Sequence, residues 1–231
     1  MEENLFKWKH FKSDFIILCV RWYIKYPLSY RNIEDMMLER GMLVDHTTIM
    51  RWVFQYAPIL NRRLRKHLAP TNDSWRMDET YLKIKGVEHY LYRAVDSEDK
   101  TIDFWLSKKR DKKAAKKFLK KALKSSHNQQ PRVITTDKYR ATEVAIAEEI
   151  NFGVLSFKVH HRMVQYLNNI IEQDHRFIKK IIKPMLGFKN FNSACSTIAG
   201  IEAMRIIKKG QAGTSNVIEE IELINRLFCV A

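Results

Sequence analysis

No two cysteines stand at CxxC spacing anywhere in these 231 residues. The three present, Cys19, Cys195 and Cys229, are scattered, which argues against a disulfide framework and a zinc ribbon and fits a reducing cytoplasm. Histidine does not reopen the zinc reading: His160 and His161 adjoin, but no cysteine pair lies at finger spacing. Glycine and proline are scarce, seven and five, and no low-complexity block interrupts a chain that is 45% hydrophobic, so it is globular rather than disordered. No apolar run approaches the roughly 18–20 residues that a membrane span needs. The longest, Phe15 to Val20, is a core segment, and the Lys/Glu-rich N-terminus is no secretory signal. Acid is short as well: 26 acidic residues face 41 basic ones, a formal charge of +15. Such an excess favours a polyanionic partner, because neutralising phosphates releases counterions. It selects a class of partner, not an activity.

The N-terminal third has helical spacing. Phe11 to Lys25 is apolar and aromatic at that period and stops before Pro27. Ser29 is placed to cap YRNIEDMMLERG, which Gly41 closes. Asp45 is placed to cap HTTIMRWVFQYAP, with Pro58 expected to end it. Two helices joined by a short Gly-containing turn form a helix-turn-helix, whose second helix meets DNA bases with its first turns. That assigns base contact to His46, Thr47, Thr48 and Arg51. A helical hairpin that only packs has the same pattern, and the basic run behind it, with Arg62 and Arg63, tilts the reading toward DNA.

A polar linker, residues 71–74, separates this N-terminal domain, 1–70, from a segment of period two. WRMDETYLKIK, HYLYRAVD and TIDFWLS are expected to be three successive strands. DKKAAKKFLKKALK is an amphipathic helix with a strongly basic outer face, where Lys116 and Lys120 would meet phosphates. PRVITTD is a short strand buried on both faces, followed by a helix over 141–150, a strand near SFKVH and a long helix after Tyr166. The order predicts an α/β fold with a mixed sheet over 75–210, followed by a C-terminal tail, 211–231, that carries Glu219, Glu220 and Glu222.

Asp78 lies in the first strand, on the face of Leu82 and Ile84, with Glu79 on the other face. Asp137 ends the apolar strand, at the edge where α/β sheets place their sites. If the first and fourth strands are neighbours, the two acids meet. On the last helix Ile170, Phe177 and Ile181 define an apolar stripe that includes Asp174, which leaves Glu172 on a polar side with Asn168, Asn169, His175 and Lys179. Close carboxylates repel unless a cation sits between them. Two Mg²⁺ ions about 3.5–4 Å apart can clamp an in-line displacement at phosphorus. The alternative is three unrelated acids, at a turn, a strand end and a solvated helix face.

WRMDETYLKIKG, YLYRAVDSE, the VITTDK strand end, YLNNIIEQDHRFIK and GFKNFNSACSTIAGIEAM, with 34 residues between Asp137 and Glu172, closely resemble bacterial DDE-type insertion-sequence transposases of the insertion sequence six family. The likeness runs from about Phe6 to Gln211. It implies a ribonuclease H-like, retroviral-integrase-like core in which Asp78, Asp137 and Glu172 bind two Mg²⁺ or Mn²⁺ ions. It implies a helix-turn-helix that binds terminal inverted repeats, a freed 3′-hydroxyl that attacks target DNA, and no covalent enzyme–DNA intermediate. Lys179 would hold a phosphate near the cut, with Tyr166, Asn168, Asn169 and His175 supporting the site. Two DNA ends must meet, so at least a homodimer is expected in the synapse, in a bacterial cytoplasm and at the nucleoid. A nuclease on the same core, or a domesticated transposase that only binds DNA, would share most of these features.

Overall fold

The computed structural model describes residues 5–164 and 169–230, which form two compact units. One is the continuous segment Leu68–Lys179; the other joins the chain before it to the chain after it.

In the continuous unit three strands, β1 (Ser74–Ile84), β2 (Val87–Asp96) and β3 (Thr101–Ser107), form an antiparallel meander. Lys85 and Gly86 close the first hairpin, both at positive φ (51° and 78°), the two-residue geometry that matches strand twist. Asp96 organises the second turn, its carboxylate accepting from the backbone N–H groups of Glu98 and Lys100. Helix α4 (Lys112–Lys124), capped by Asp111, leads to β4 (Val133–Thr136), parallel to β1. Helix α5 (Arg140–Asn151) leads to β5 (His160–Met163), parallel to β4. The resulting order, β3-β2-β1-β4-β5, is that of the ribonuclease H-like fold expected.

Alternation along β1 gives the sheet two different faces. Trp75 and Met77 bury themselves with Tyr92, Phe118, Leu119 and Ile134 under α4 and α5. Fully burying side chains of this size contributes about 1.5–3 kcal/mol each. The opposite face carries Asp78, Thr80, Leu82 and Ile84, and opposite Asp78 in the ladder stands Arg93. Arg93 reaches α6 (Asn169–Ile182).

The helical unit departs from the sequence expectation in three ways. Helix α3 (His46–Leu64) runs through Pro58 instead of ending there. A mid-helix proline costs about 3 kcal/mol, and burial of Tyr56, Ala57, Leu60 and Leu64 across the same turns offsets that cost. With α1 (Ser13–Lys25) it packs against α7 (Phe191–Lys208), part of the 75–210 segment expected to form the core, while α2 (Tyr30–Leu38) packs on α3. Gly200 explains the attachment: a Cβ there would lie 2.7 Å from Ala57 Cβ, so the glycine lets the helices close up. The expected acidic tail folds as α8 (Val217–Phe228), whose buried Glu220 pairs with Arg21 at 3.2 Å and Lys25 at 2.7 Å on α1. Among the described residues no helix is long and apolar enough to cross a membrane.

Candidate active site

The parallel pair of β1 and β4 registers Ser74 with Val133, Trp75 with Ile134 and Arg76 with Thr135. Carried two residues further, that register sets Asp78 beside Asp137, just past the last residue of β4. Here β1 runs on without a strand partner on that side among the described residues, leaving an open sheet edge. Asp137 is fixed locally: Tyr139 N–H donates to Oδ1 at 3.0 Å, and the Thr136 hydroxyl donates to its carbonyl at 2.8 Å.

Helix α6 approaches the same face of β1. Its buried stripe is Ile171, Asp174, His175, Ile178 and Ile181, with Ile171 and Ile178 in place of the expected Ile170 and Phe177. Asp174 is therefore interior, as expected, and its carboxylate accepts from the Arg93 guanidinium at 3.1 Å, with both side chains at most 1% exposed. His175, expected beside Glu172 on the polar side, is buried instead, with Nδ1 3.8 Å from Asp78 Oδ2. Glu172 and Lys179 are exposed, and the Lys179 ammonium stands 4.8 Å from the Tyr81 ring centroid, three residues along β1 from Asp78. Asn169 is exposed at the start of α6, whereas Tyr166 and Asn168 lie outside the described residues.

The electrostatics of the cluster follow from this packing. Burial pushes the Asp78 carboxyl up to about 7, and the negative charges of Glu79, Asp137 and Glu172 add to the shift. His175 offers no compensation, because burial, with Arg93 and Lys179 nearby, pushes its pKa down to about 3 and keeps it neutral. Four carboxylates here share one nearby arginine, Arg110, and the surplus of carboxylate oxygens is the donor set that suits Mg²⁺ or Mn²⁺, hard ions that take oxygen ligands. In this structure Asp78, Asp137 and Glu172 do not close to the 4.8 Å mutual ligand spacing seen among Glu34, Asp45 and His46.

Two residues of the cluster escaped the sequence reading. Glu79 lies on the face opposite Asp78, as expected, but its side chain is only 3% exposed and accepts a hydrogen bond from Arg110 Nε. Arg110, in the loop before α4, also points Nη2 at Asp137 Oδ2, 3.4 Å away, and lies 3.7 Å from the Tyr139 ring centroid. Only the adjacency of Glu79 to Asp78 could have hinted at this; nothing in the local pattern marks Arg110.

The expected DNA contacts divide between committed and open side chains. Asp45 caps α3 through Thr47 N–H and the Thr47 hydroxyl, and His46 Nδ1 lies 3.1 Å from Glu34 Oε2. Arg51 is exposed one turn on. Arg62 is exposed, while Arg63 donates to the Leu227 carbonyl at the end of α8. On α4, Lys116 pairs with Glu148 at 2.6 Å, and Lys120 lies 3.6 Å from Glu149, so α5 takes up the very lysines assigned to phosphates. Lys113, Lys117 and Lys124, on the exposed side, have no ionic partner among the described residues.

A mixed sheet in this strand order, with acids gathered at the open β1–β4 edge and beside a covering helix, is the framework of a phosphoryl-transfer enzyme. Residues 72–211 match the DDE_Tnp_IS240 family, a DDE domain. The transposase for insertion sequence-like element IS431mec of Staphylococcus aureus is 42% identical over 209 residues, covering 89% of each chain. The transposase for insertion sequence element IS257 in transposon Tn4003, also from Staphylococcus aureus, matches to the same extent. The chain belongs to this family of DDE transposases of insertion sequences. Among solved structures, the HTLV-2 integrase catalytic core domain in complex with magnesium (dimeric form) is 17% identical, with a TM-score of 0.43 over 64% of this chain and 99% of that one.

Proposed function

We propose that this transposase recognises the terminal inverted repeats of its own insertion sequence through α2 and α3, and cuts and joins DNA strands at Asp78, Asp137 and Glu172. The observation that carries the reading is the Asp78 carboxyl, half-buried beside the end of β4 with Asp137 next to it in register and a neutral histidine 3.8 Å from its Oδ2. Asp78, Asp137 and Glu172 would hold two Mg²⁺ or Mn²⁺ ions. When bound, such ions would supply activation of the attacking water or 3′-hydroxyl and stabilisation of the leaving oxygen. The protein's own groups orient and neutralise. Tyr139 N–H holds Asp137 in place, neutral His175 leaves the Asp78 carboxylate available, and Lys179 meets a phosphate near the cut. The reaction joins two element ends, so two or more copies act together, at the bacterial nucleoid in the cytoplasm.

The test is an assay of the purified chain on a labelled element end. Nicking is expected with Mg²⁺ or Mn²⁺ and none in chelator, while Ca²⁺ supports binding without turnover because its longer, looser coordination fits in-line geometry poorly. Robust cutting in chelator, or a trapped protein–DNA adduct, overturns the metal-dependent mechanism. Cutting without strand transfer would instead identify a nuclease, and end binding without cutting a domesticated DNA-binding protein.

The two basic regions should separate in competition binding across a salt series. Arg51 stands where a recognition helix meets base edges, and a bidentate arginine discriminates by about 1–3 kcal/mol. Arg51→Ala is expected to reduce preference for element ends over random duplex by about tenfold. The Lys113→Ala/Lys117→Ala pair should weaken binding to both duplexes alike and lower the salt slope by about two units. Lys116→Ala, already paired with Glu148, should do much less. If Arg51→Ala lowers both affinities equally, α3 is a generic clamp and the end-recognition assignment fails.

A further inference from the structure

Arg110 is unusually well anchored for a loop residue. Its Nε donates to the buried Glu79 carboxylate, its guanidinium lies against the Tyr139 ring, and its own carbonyl accepts from the Tyr139 hydroxyl at 2.9 Å. Tyr139 in turn holds Asp137 through its backbone N–H, so Glu79, Arg110, Tyr139 and Asp137 form one connected brace. A guanidinium carries five N–H donors in a rigid plane. One goes to Glu79 and one points at Asp137, and the side chain is still 34% exposed at the open sheet edge. The remaining donors have no protein partner among the described residues. A counter-ion needed only to neutralise Glu79 would not have to be held so that its outer edge stays in solvent beside Asp137.

We propose that Arg110 binds a backbone phosphate of the DNA strand at the cut, with Glu79 and Tyr139 as the residues that position it. The planar fork suits phosphate oxygens, and a guanidinium already fixed on three sides loses little entropy when it binds. Glu79 then serves as the anchor of a substrate-binding arginine, and the ion-binding acids are Asp78, Asp137 and Glu172. This assignment rests on the DNA-cutting reading given above.

The test couples the residue to a single phosphate. The full chain is bound in Ca²⁺ to element-end duplexes and to nicked random duplexes. In each set one phosphate at a time, through the several flanking the cut or nick, is replaced by an uncharged methylphosphonate. One position is expected to cost the wild type about tenfold in affinity and to cost Arg110→Ala nothing further. Arg110→Lys should show an intermediate coupling, because it keeps the charge and loses the fork. Glu79→Gln should weaken the coupling without removing it. Mn²⁺-induced thermal shifts close to wild type in Arg110→Lys would show that the fold and the ion site are intact. Losses that simply add at every phosphate, in both variants of Arg110, would overturn the proposal and leave Arg110 a structural counter-ion. If the wild type binds neither duplex, the DNA-cutting reading falls and this proposal falls with it. If it binds and shows the coupling but never cuts, the phosphate contact stands and only the catalytic reading fails.

Discussion

Glu172→Gln, Asp78→Asn and Asp137→Asn should each lower strand cleavage by more than about 100-fold while end binding stays within a few-fold of wild type. Each exchange preserves size and removes one charged oxygen ligand, and even residues that only orient metal ligands typically cost 10–100-fold when changed. The Asp78 variant carries a second, independent signature. A carboxyl whose pKa is about 7 in the folded chain and about 4 when unfolded keeps its proton on folding through that interval. The folded state then binds more protons than the unfolded state, so stability of the ion-free protein falls as pH rises from about 4 to about 7. Asp78→Asn removes that loss, and its ion-free melting temperature should exceed wild type at pH 8 while being insensitive to Mn²⁺. An Asp78→Asn protein that cuts normally would sink the assignment, whatever its stability.

Asp174→Asn should fail in the opposite sense: chemistry retained, fold weakened. Its carboxylate stands 3.1 Å from a guanidinium that is 1% exposed, with no bulk water to take over the charge. Removing one partner of a buried ion pair typically costs about 3–5 kcal/mol. For a chain of this size that corresponds to a fall in melting temperature of roughly 10 °C. Below its transition the variant should still nick element ends at a rate within a few-fold of wild type, since Asp174 faces the sheet and the exposed side of α6 carries Glu172. Circular dichroism melts beside single-turnover nicking at low temperature measure both quantities. A stable but inactive Asp174→Asn paired with an active Glu172→Gln would reverse the roles of the two acids.

The parts of this molecule that were legible in its sequence are those that local chemistry decides. Ser29 and Asp45 are helix caps because their side-chain oxygens satisfy free N–H groups nearby in the chain, and both cap where expected. Asp78 and Asp137 could be paired in advance because alternation fixes the face of one and a short strand buried on both faces fixes the end of the other. The phase of α6 was only half legible. Asp174 and Ile181 are interior as expected, but adjacent isoleucines at 170–171 admit two apolar stripes about 100° apart at the start of the helix, and only the sheet beneath chooses between them. The choice moved His175 to the interior and left Glu172 outside. The pairing of Lys116 and Lys120 was hidden for a related reason: a lysine is drawn to phosphate or to the glutamates of a neighbouring helix, and those glutamates are 32 and 29 residues away. Arg110 acts from a loop, with partners 31 and 27 residues distant, and no periodicity reports on such contacts.

Helices α7 and α8 complete a unit that begins with α1, and the catalytic segment is spliced between its two parts. Glu220 meets Arg21 across 199 residues of sequence. During synthesis the central segment has all of its own strands and α6 within reach early, and domains generally fold as units while the chain emerges. Helices α1 and α3 must wait for α7 and α8 to leave the ribosome before their buried faces are covered. Message truncated after α6 would therefore yield a formed central unit and an unfinished helical unit, which on the proposed function could not find the ends of the element. Late frameshifts, harmless to every catalytic codon, silence such a copy as surely as the loss of an aspartate.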